Sequence, residues 1–178
     1  MPFSRRYTLQ EVKGMLQIYR NNHAITGLVP GTHTFTRSPA GAHAHIHGGS
    51  NSLEQQARVN TPGEPRATTT YWSEDDQAGA TLEILNSFAG QIALRRLDIG
   101  EKEAAMTSAL TPNRYKVSST HDKSDKGGQP GHFGRNDARR ANAGATHITS
   151  FATQGFVKVV KGVGGLMQIQ TSFPSATT

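Results

Sequence analysis

The sequence predicts an α+β domain in which N-terminal helices pack on a small, mostly antiparallel sheet. Three observations carry this reading. Apolar residues recur at helical spacing in two segments of the first hundred residues. β-Branched and aromatic residues cluster at 67–72 and again over 156–173. The second cluster is split by a glycine-rich turn, as a hairpin requires. A length of 178 residues suits one domain, with room for an appendage.

Each element follows from local chemistry. Thr8-Leu-Gln-Glu11 is a capping box, and Leu9, Val12, Met15, Leu16 and Tyr19 then fall on one face, so a helix should run from Leu9 to about Asn21. Gly27 to Gly31 is a turn, His33 to Thr36 a short strand, and Ser38-Pro-Ala-Gly41 ends it. Leu53 to Val59 reads as a short helix capped by Ser50, Asn51 or Ser52. Pro62-Gly-Glu-Pro65 is a linker, and Ala67 to Trp72 a strand. Ser73 caps a helix from Glu74 to Ile92. Glu74, Asp75 and Asp76 suit its positive end, Arg95 and Arg96 its negative end, and Ala78, Leu82, Leu85, Ala89 and Ile92 form the expected buried stripe. Residues 98–111 are ambiguous, with a helix over Glu101 to Leu110 as one reading. Phe156 to Lys161 and Leu166 to Phe173 form the hairpin around Gly162 to Gly165. Pro174 should stop the second strand and leave the last residues frayed.

Composition narrows the function classes. The apolar share is 34% and 19 residues are glycine, so long surface loops should flank the core. Residues 112–147 stand out as a basic, Gly-rich loop. Arg114, Lys116, Lys123, Lys126, Arg135, Arg139 and Arg140 face only Asp122, Asp125 and Asp137, which gives +4 of the formal +6. A pI near 9.9 is compatible with a polyanion such as nucleic acid, or with an acidic protein. Zero cysteines exclude disulfides and thiolate chemistry. No apolar run approaches the roughly 18–20 residues of a membrane span, and MPFSRRYTLQEV lacks the apolar centre of a signal peptide.

The chemistry concentrates in His43-Ala-His45-Ile-His47-Gly-Gly-Ser-Asn-Ser-Leu-Glu-Gln-Gln-Ala-Arg58. Three alternate histidines would share one strand face, and zinc accepts imidazole. Neighbours on one strand seldom converge on one ion, however, and no nearby carboxylate supplies an outer partner, so no metal site is expected. A histidine can instead move a proton at neutral pH, a helix N-terminus binds phosphate, and an arginine clamps an anion. His47, the following helix and Arg58, eleven residues on, together suit phosphodiester cleavage.

The order of these elements resembles the bacterial RNase A-like toxin domains at the C-termini of contact-dependent inhibition proteins and other polymorphic toxins. That family has a histidine, an arginine eleven residues later on a helix, an Ala-Ser-Thr-Phe stretch before an Ala-rich helix, and a last strand ending in Thr-x-Tyr-Pro. Here the counterparts are His47 and Arg58, Ala67-Thr-Thr-Thr-Tyr-Trp-Ser73, and Thr171-Ser-Phe173-Pro174. The likeness spans roughly 43–95 and 155–174, within a toxin domain of 43–178 that follows an N-terminal helical segment, 1–42. It implies an RNase A-like fold without disulfides and a metal-independent endoribonuclease that needs no cofactor. His47 would move the proton, while Arg58 and Thr171 stabilise the phosphoryl oxygens. The family's tyrosine is Phe173 here, which cannot exchange a proton, so His33, His45, His132 and His147 become candidates for the second group, with Phe173, His45 and His43 as auxiliary candidates. Lys123, Lys126, Arg135, Arg139 and Arg140 would grip the RNA backbone. The resemblance further implies a secreted effector carried by a larger delivery protein, acting in the target-cell cytoplasm on RNA such as tRNA, and restrained by a cognate immunity protein. Alternatives are a non-catalytic RNA-binding module, a degenerate toxin, or an ADP-ribosyltransferase-type toxin. For the last, Arg37 and Ala67-Thr-Thr-Thr-Tyr71 imitate two motifs, but no glutamate follows Glu103.

Overall fold

A computed structural model describes residues 1–22, 52–123, 134 and 136–178. Among these residues the order is α1 (Leu9–Asn22), α2 (Ser52–Asn60), β1 (Ala67–Tyr71), α3 (Glu74–Asn86), α4 (Phe88–Asp98), β2 (Glu103–Ala109), β3 (Lys116–Asp122), β4 (Ala145–Lys161) and β5 (Met167–Thr177). Short 3-10 turns at Ala138–Asn142 and Val163–Gly165 precede and follow β4. The expected strand at His33 to Thr36 lies outside the described residues. The architecture is α+β, and all the described strand pairs are antiparallel.

The sheet is organised by β4. Its first half pairs with β3, which pairs in turn with β1; its second half takes β2 on the same edge and β5 on the other. β1 and β5 touch without pairing, so the sheet curls. Register shifts between Ala152 and Gly155 break the alternation where the partners change. Ala152 faces the core before the shift, and Val157 and Val159 face it afterwards. Gly155 sits at the bend because a Cβ there would lie 2.5 Å from Ile84 Cδ1 and 2.8 Å from Tyr71 Oη. One face of the sheet thus carries Tyr71, Val117, Val157 and Val159 against Val12, Leu16, Ile84, Leu94 and Leu97 of the helices. α2 packs against β1, β3 and β4.

The N-terminal capping box forms: the Glu11 carboxylate accepts from the Thr8 N–H at 2.8 Å, and the Glu11 N–H reaches Thr8 Oγ1 at 3.3 Å. α1 then packs on α3 and β5, and the Asn86 side chain bonds both the N–H and the C=O of Tyr7.

Several expectations are corrected. The single helix over 74–92 is two helices. Ser87 is extended, closes α3 through Ile84 O and caps α4 by accepting from the Gly90 N–H. Any Cβ at Gly90 would stand 2.0 Å from Ile84 O, so only glycine fits this junction. The change of direction leaves Ala89 and Ile92 exposed and buries Ala93, Leu94 and Leu97 instead. Residues 103–109 are a strand, since pairing with β4 and alternate burial of Ala104 and Met106 override the helix preference of Glu, Ala and Met. β5 runs past Pro174, which is tolerated because β5 pairs only with β4; the chain end is tied down by the Thr178 N–H to Phe151 O.

The segment 112–147 is not one loop. It contains β3, the 3-10 turn and the start of β4. Arg140 is 0% exposed, so its expected role as an RNA grip is also corrected. Its guanidinium pairs with Asp122, itself buried, at 2.9 Å, and donates to Val59 O and to Glu64 O. Breaking one side of a buried pair costs about 3–5 kcal/mol. Arg140→Met and Asp122→Asn should each lose about that much in urea unfolding, and unchanged midpoints would contradict the pairing. A second test is pH. The Arg5 guanidinium at 2.7 Å, then the Thr8 N–H and hydroxyl, lower the Glu11 carboxyl from 4.5 to about 2. A depressed carboxylate stabilises fully above its unfolded value and ceases to do so as pH falls through its folded value. The helical signal at the N-terminus should therefore weaken between pH 4.5 and 2 in wild type, and Glu11→Gln should abolish that component.

Candidate active site

Arg58 lies in the last turn of α2, where a cation suits the negative helix end. It is 8% exposed, and its Nη1 donates to Thr68 Oγ1 at 2.9 Å. Burial lowers the Arg58 pKa, opposed by the nearby Glu64 charge. Arginine keeps its proton regardless. Among the described residues no carboxylate pairs with Arg58, and Thr68 is its hydrogen-bond partner. A desolvated cation bonded to a neutral hydroxyl is a ready receiver of an anion.

Thr68 belongs to a rung that crosses three strands: Thr68 pairs with Thr120, and Thr120 with His147. Directly opposed residues project from the same face, so all three share the face onto which Arg58 reaches. The next rung on that face is Thr70, Ser118 and Thr149. The surface is lined with hydroxyls because Tyr71 and Val117 take the alternate positions into the core. His147 is exposed, and its Nδ1 meets the buried Thr120 Oγ1 at 2.8 Å.

Thr171 stands on β5, opposite Lys158, and Phe173 opposite Phe156. Ser172, between them, points the other way and bonds Thr81 of α3 at 2.7 Å. Thr171 and Phe173 therefore occupy the face turned away from the helical core, as Thr68 and His147 do. Thr171 is 8% exposed, and its Oγ1 is buried without a hydrogen-bond partner among the described residues. Phe173 stacks on Phe156, with centroids 4.9 Å apart.

The remaining expected residues divide. His43, His45, His47, Lys126 and Arg135 lie outside the described residues, as do His33 and His132. Lys123 is exposed in the turn after β3, and its N–H bonds Gly144 O. Arg139 is exposed and pairs with Asp137 at 2.6 Å. Trp72 is half exposed with Lys116 Nζ 4.1 Å from its ring centroid, whereas Tyr71 is core and burial raises its phenol pKa. The Thr120–His147 contact is absent from the sequence reading because it depends on strand register, although His147 itself stood among the candidates. A cavity of about 650 Å³ lies elsewhere, between the N-terminal segment and the β4–β5 turn, lined by Phe3, Tyr7, Met15, Leu166 and Met167 among others.

No family model and no curated protein matches the chain. Among solved structures, a chain of the CdiA-CT/CdiI complex from Y. kristensenii 33638 is similar over 74% of this chain and 96% of its own length, at 12% identity and a TM-score of 0.44.

The Thr171 hydroxyl, which has no hydrogen-bond partner among the described residues, gives a direct test. An unsatisfied buried hydroxyl costs about 1–3 kcal/mol, so Thr171→Val should raise the urea midpoint. A lower midpoint would show that the hydroxyl is satisfied in the folded protein.

Proposed function

We propose that this chain is a metal-independent ribonuclease toxin that cleaves RNA through attack of the 2′-hydroxyl on the adjacent phosphorus. The supporting observation is Arg58, a desolvated guanidinium without a carboxylate partner among the described residues, on a hydroxyl-lined sheet face. The five-coordinate, trigonal-bipyramidal phosphorus formed as the 2′-oxygen attacks, with charge developing on its equatorial oxygens, is the species such a donor stabilises most. In this reading Arg58 and Thr171 hold the phosphoryl oxygens, and His47 removes the 2′-hydroxyl proton. The 2′-oxygen–phosphorus bond forms as the bond to the 5′-oxygen breaks, leaving a 2′,3′-cyclic phosphate. Lys123 and Arg139, both exposed, would contribute to backbone affinity with the salt dependence of phosphate contacts. We further propose delivery by a larger secretion protein into the cytoplasm of a target cell, with tRNA among its RNA substrates, and restraint by an immunity protein. These proposals extend the sequence resemblance.

A second reading, a non-catalytic RNA-binding module, is favoured by Phe173, which packs on Phe156 and has no proton to exchange. Purified protein incubated with total bacterial RNA and EDTA separates the two. Wild type should yield fragments with 2′,3′-cyclic ends. Arg58→Ala and His47→Ala should each slow cleavage about 10²–10³-fold, with folding checked by circular dichroism. RNA bound but left intact by wild type favours the binding module, and cleavage abolished by EDTA overturns the metal-independent mechanism.

A further inference from the structure

We propose that His147 is a second acid–base group of this site and protonates the leaving 5′-oxygen, with Thr120 as its positioning residue. The inference rests on the ribonuclease reading and fills the gap that Phe173 leaves in it.

Geometry carries the assignment. Thr68, Thr120 and His147 form one rung, so their side chains leave the sheet in the same direction. Arg58 is bonded to the first of them at 2.9 Å, and the imidazole to the second at 2.8 Å. The two hydroxyls that hold them belong to directly opposed residues, whose Cβ atoms lie about 5 Å apart. An anion on the guanidinium is therefore within one phosphodiester's reach of the imidazole. Among the described residues the other ring nitrogen, Nε2, is left for substrate, since Nδ1 is bonded to Thr120 and the residue is exposed.

The choice of partner also matters. A carboxylate on Nδ1 would favour the imidazolium throughout, whereas a threonine hydroxyl can donate to a bare Nδ1 or accept from a protonated one. Thr120 is 0% exposed, so its hydroxyl is fixed by packing and can hold the ring through both halves of a proton transfer. Among the described residues, the charged groups on this face are these. Arg58 approaches from α2, Arg66 lies opposite Asp122 just before β1, and Asp122, two residues along β3 from Thr120, is paired with Arg140. On β4 the same-face neighbour is Thr149, and β1 offers Thr68 and Thr70.

The step balances without a further reactant. The 2′-hydroxyl proton passes to the base as the 2′-oxygen bonds to phosphorus. The phosphorus–5′-oxygen bond breaks, and its electron pair takes the proton from Nε2 of the His147 imidazolium. Solvent then restores both groups.

The test measures cleavage of a dinucleotide substrate by wild type, His147→Ala, His147→Gln and Thr120→Val across pH 4.5–9. A second substrate carries a good leaving group, such as p-nitrophenol, on the 3′-phosphate in place of the 5′-linked nucleoside. His147→Ala and His147→Gln should cut kcat on the ordinary substrate about 10²–10⁴-fold, and the basic limb of the pH–rate profile should disappear. Both variants should recover most of the rate on the activated substrate, whose leaving group needs no proton; a merely structural role would not restore it. Thr120→Val should lower kcat with KM little changed and keep both limbs. An active wild type whose His147→Ala keeps full rate and profile overturns the inference alone. Equal losses on both substrates also overturn it. Wild type that leaves RNA intact brings down the ribonuclease reading and, with it, this role for His147.

Discussion

The fold around the candidate site depends on a single buried cation. Arg140 sits in the 3-10 turn just before β4 and reaches three other places in the chain: Asp122 at the end of β3, Val59 at the end of α2, and Glu64 in the linker to β1. Those contacts fix α2 over the sheet and fix where β4 begins against β3. The first positions Arg58, the neighbour of Val59; the second sets the register that places His147 opposite Thr120. A buried guanidinium is tolerable only with its charge paired and its N–H groups satisfied. An ion pair of this kind specifies a geometry more than it stabilises a domain. The contrast with Arg58 is instructive: both arginines are buried, yet one is matched to a carboxylate and the other, among the described residues, to a hydroxyl.

The sheet explains why polar chemistry is concentrated on one face. β1 and β3 are rich in Thr and Ser, and their alternation sends Tyr71 and Val117 inward while Thr68, Thr70, Ser118 and Thr120 face α2 and the open surface. The irregular stretch at 152–155 shifts β4 by one position, which keeps Val157 and Val159 in the core and turns Lys158, Thr171 and Phe173 to the polar side. Without that shift, Thr171 and His147 would lie on opposite faces of the sheet.

Much of this was legible in the sequence. The Thr8–Glu11 box, the short helix ending near Arg58 and the Thr-rich strand each have local signals and are found close to their expected bounds; the C-terminal hairpin also has them, but its first strand begins at Ala145 rather than Phe156 and its second runs to Thr177. What was illegible depended on partners distant in the chain. Glu-Ala-Ala-Met reads as helix, and only pairing with β4 makes it a strand. Lys116-Val-Ser-Ser-Thr-His-Asp122 has too few apolar residues to announce a central strand, yet its hydroxyls are sheltered by α2. Arg140 looked like one more basic loop residue, because sequence gives charge but not burial. Of the candidate site, Arg58 and Thr171 could be named from spacing and resemblance, whereas the placement of His147 opposite Thr120 needed the register.

Binding of a non-cleavable dinucleotide, 2′-deoxy at the attacking position, tests the central claim most directly when followed by NMR on the side chains of Arg58 and His147. Shifts are expected at the Arg58 guanidinium and the His147 ring at the same ligand concentration, with the His147 shift lost in Arg58→Ala. Perturbations confined to other surfaces, such as the cavity beside Phe3 and Met167, with Arg58 and His147 silent, would contradict the claim.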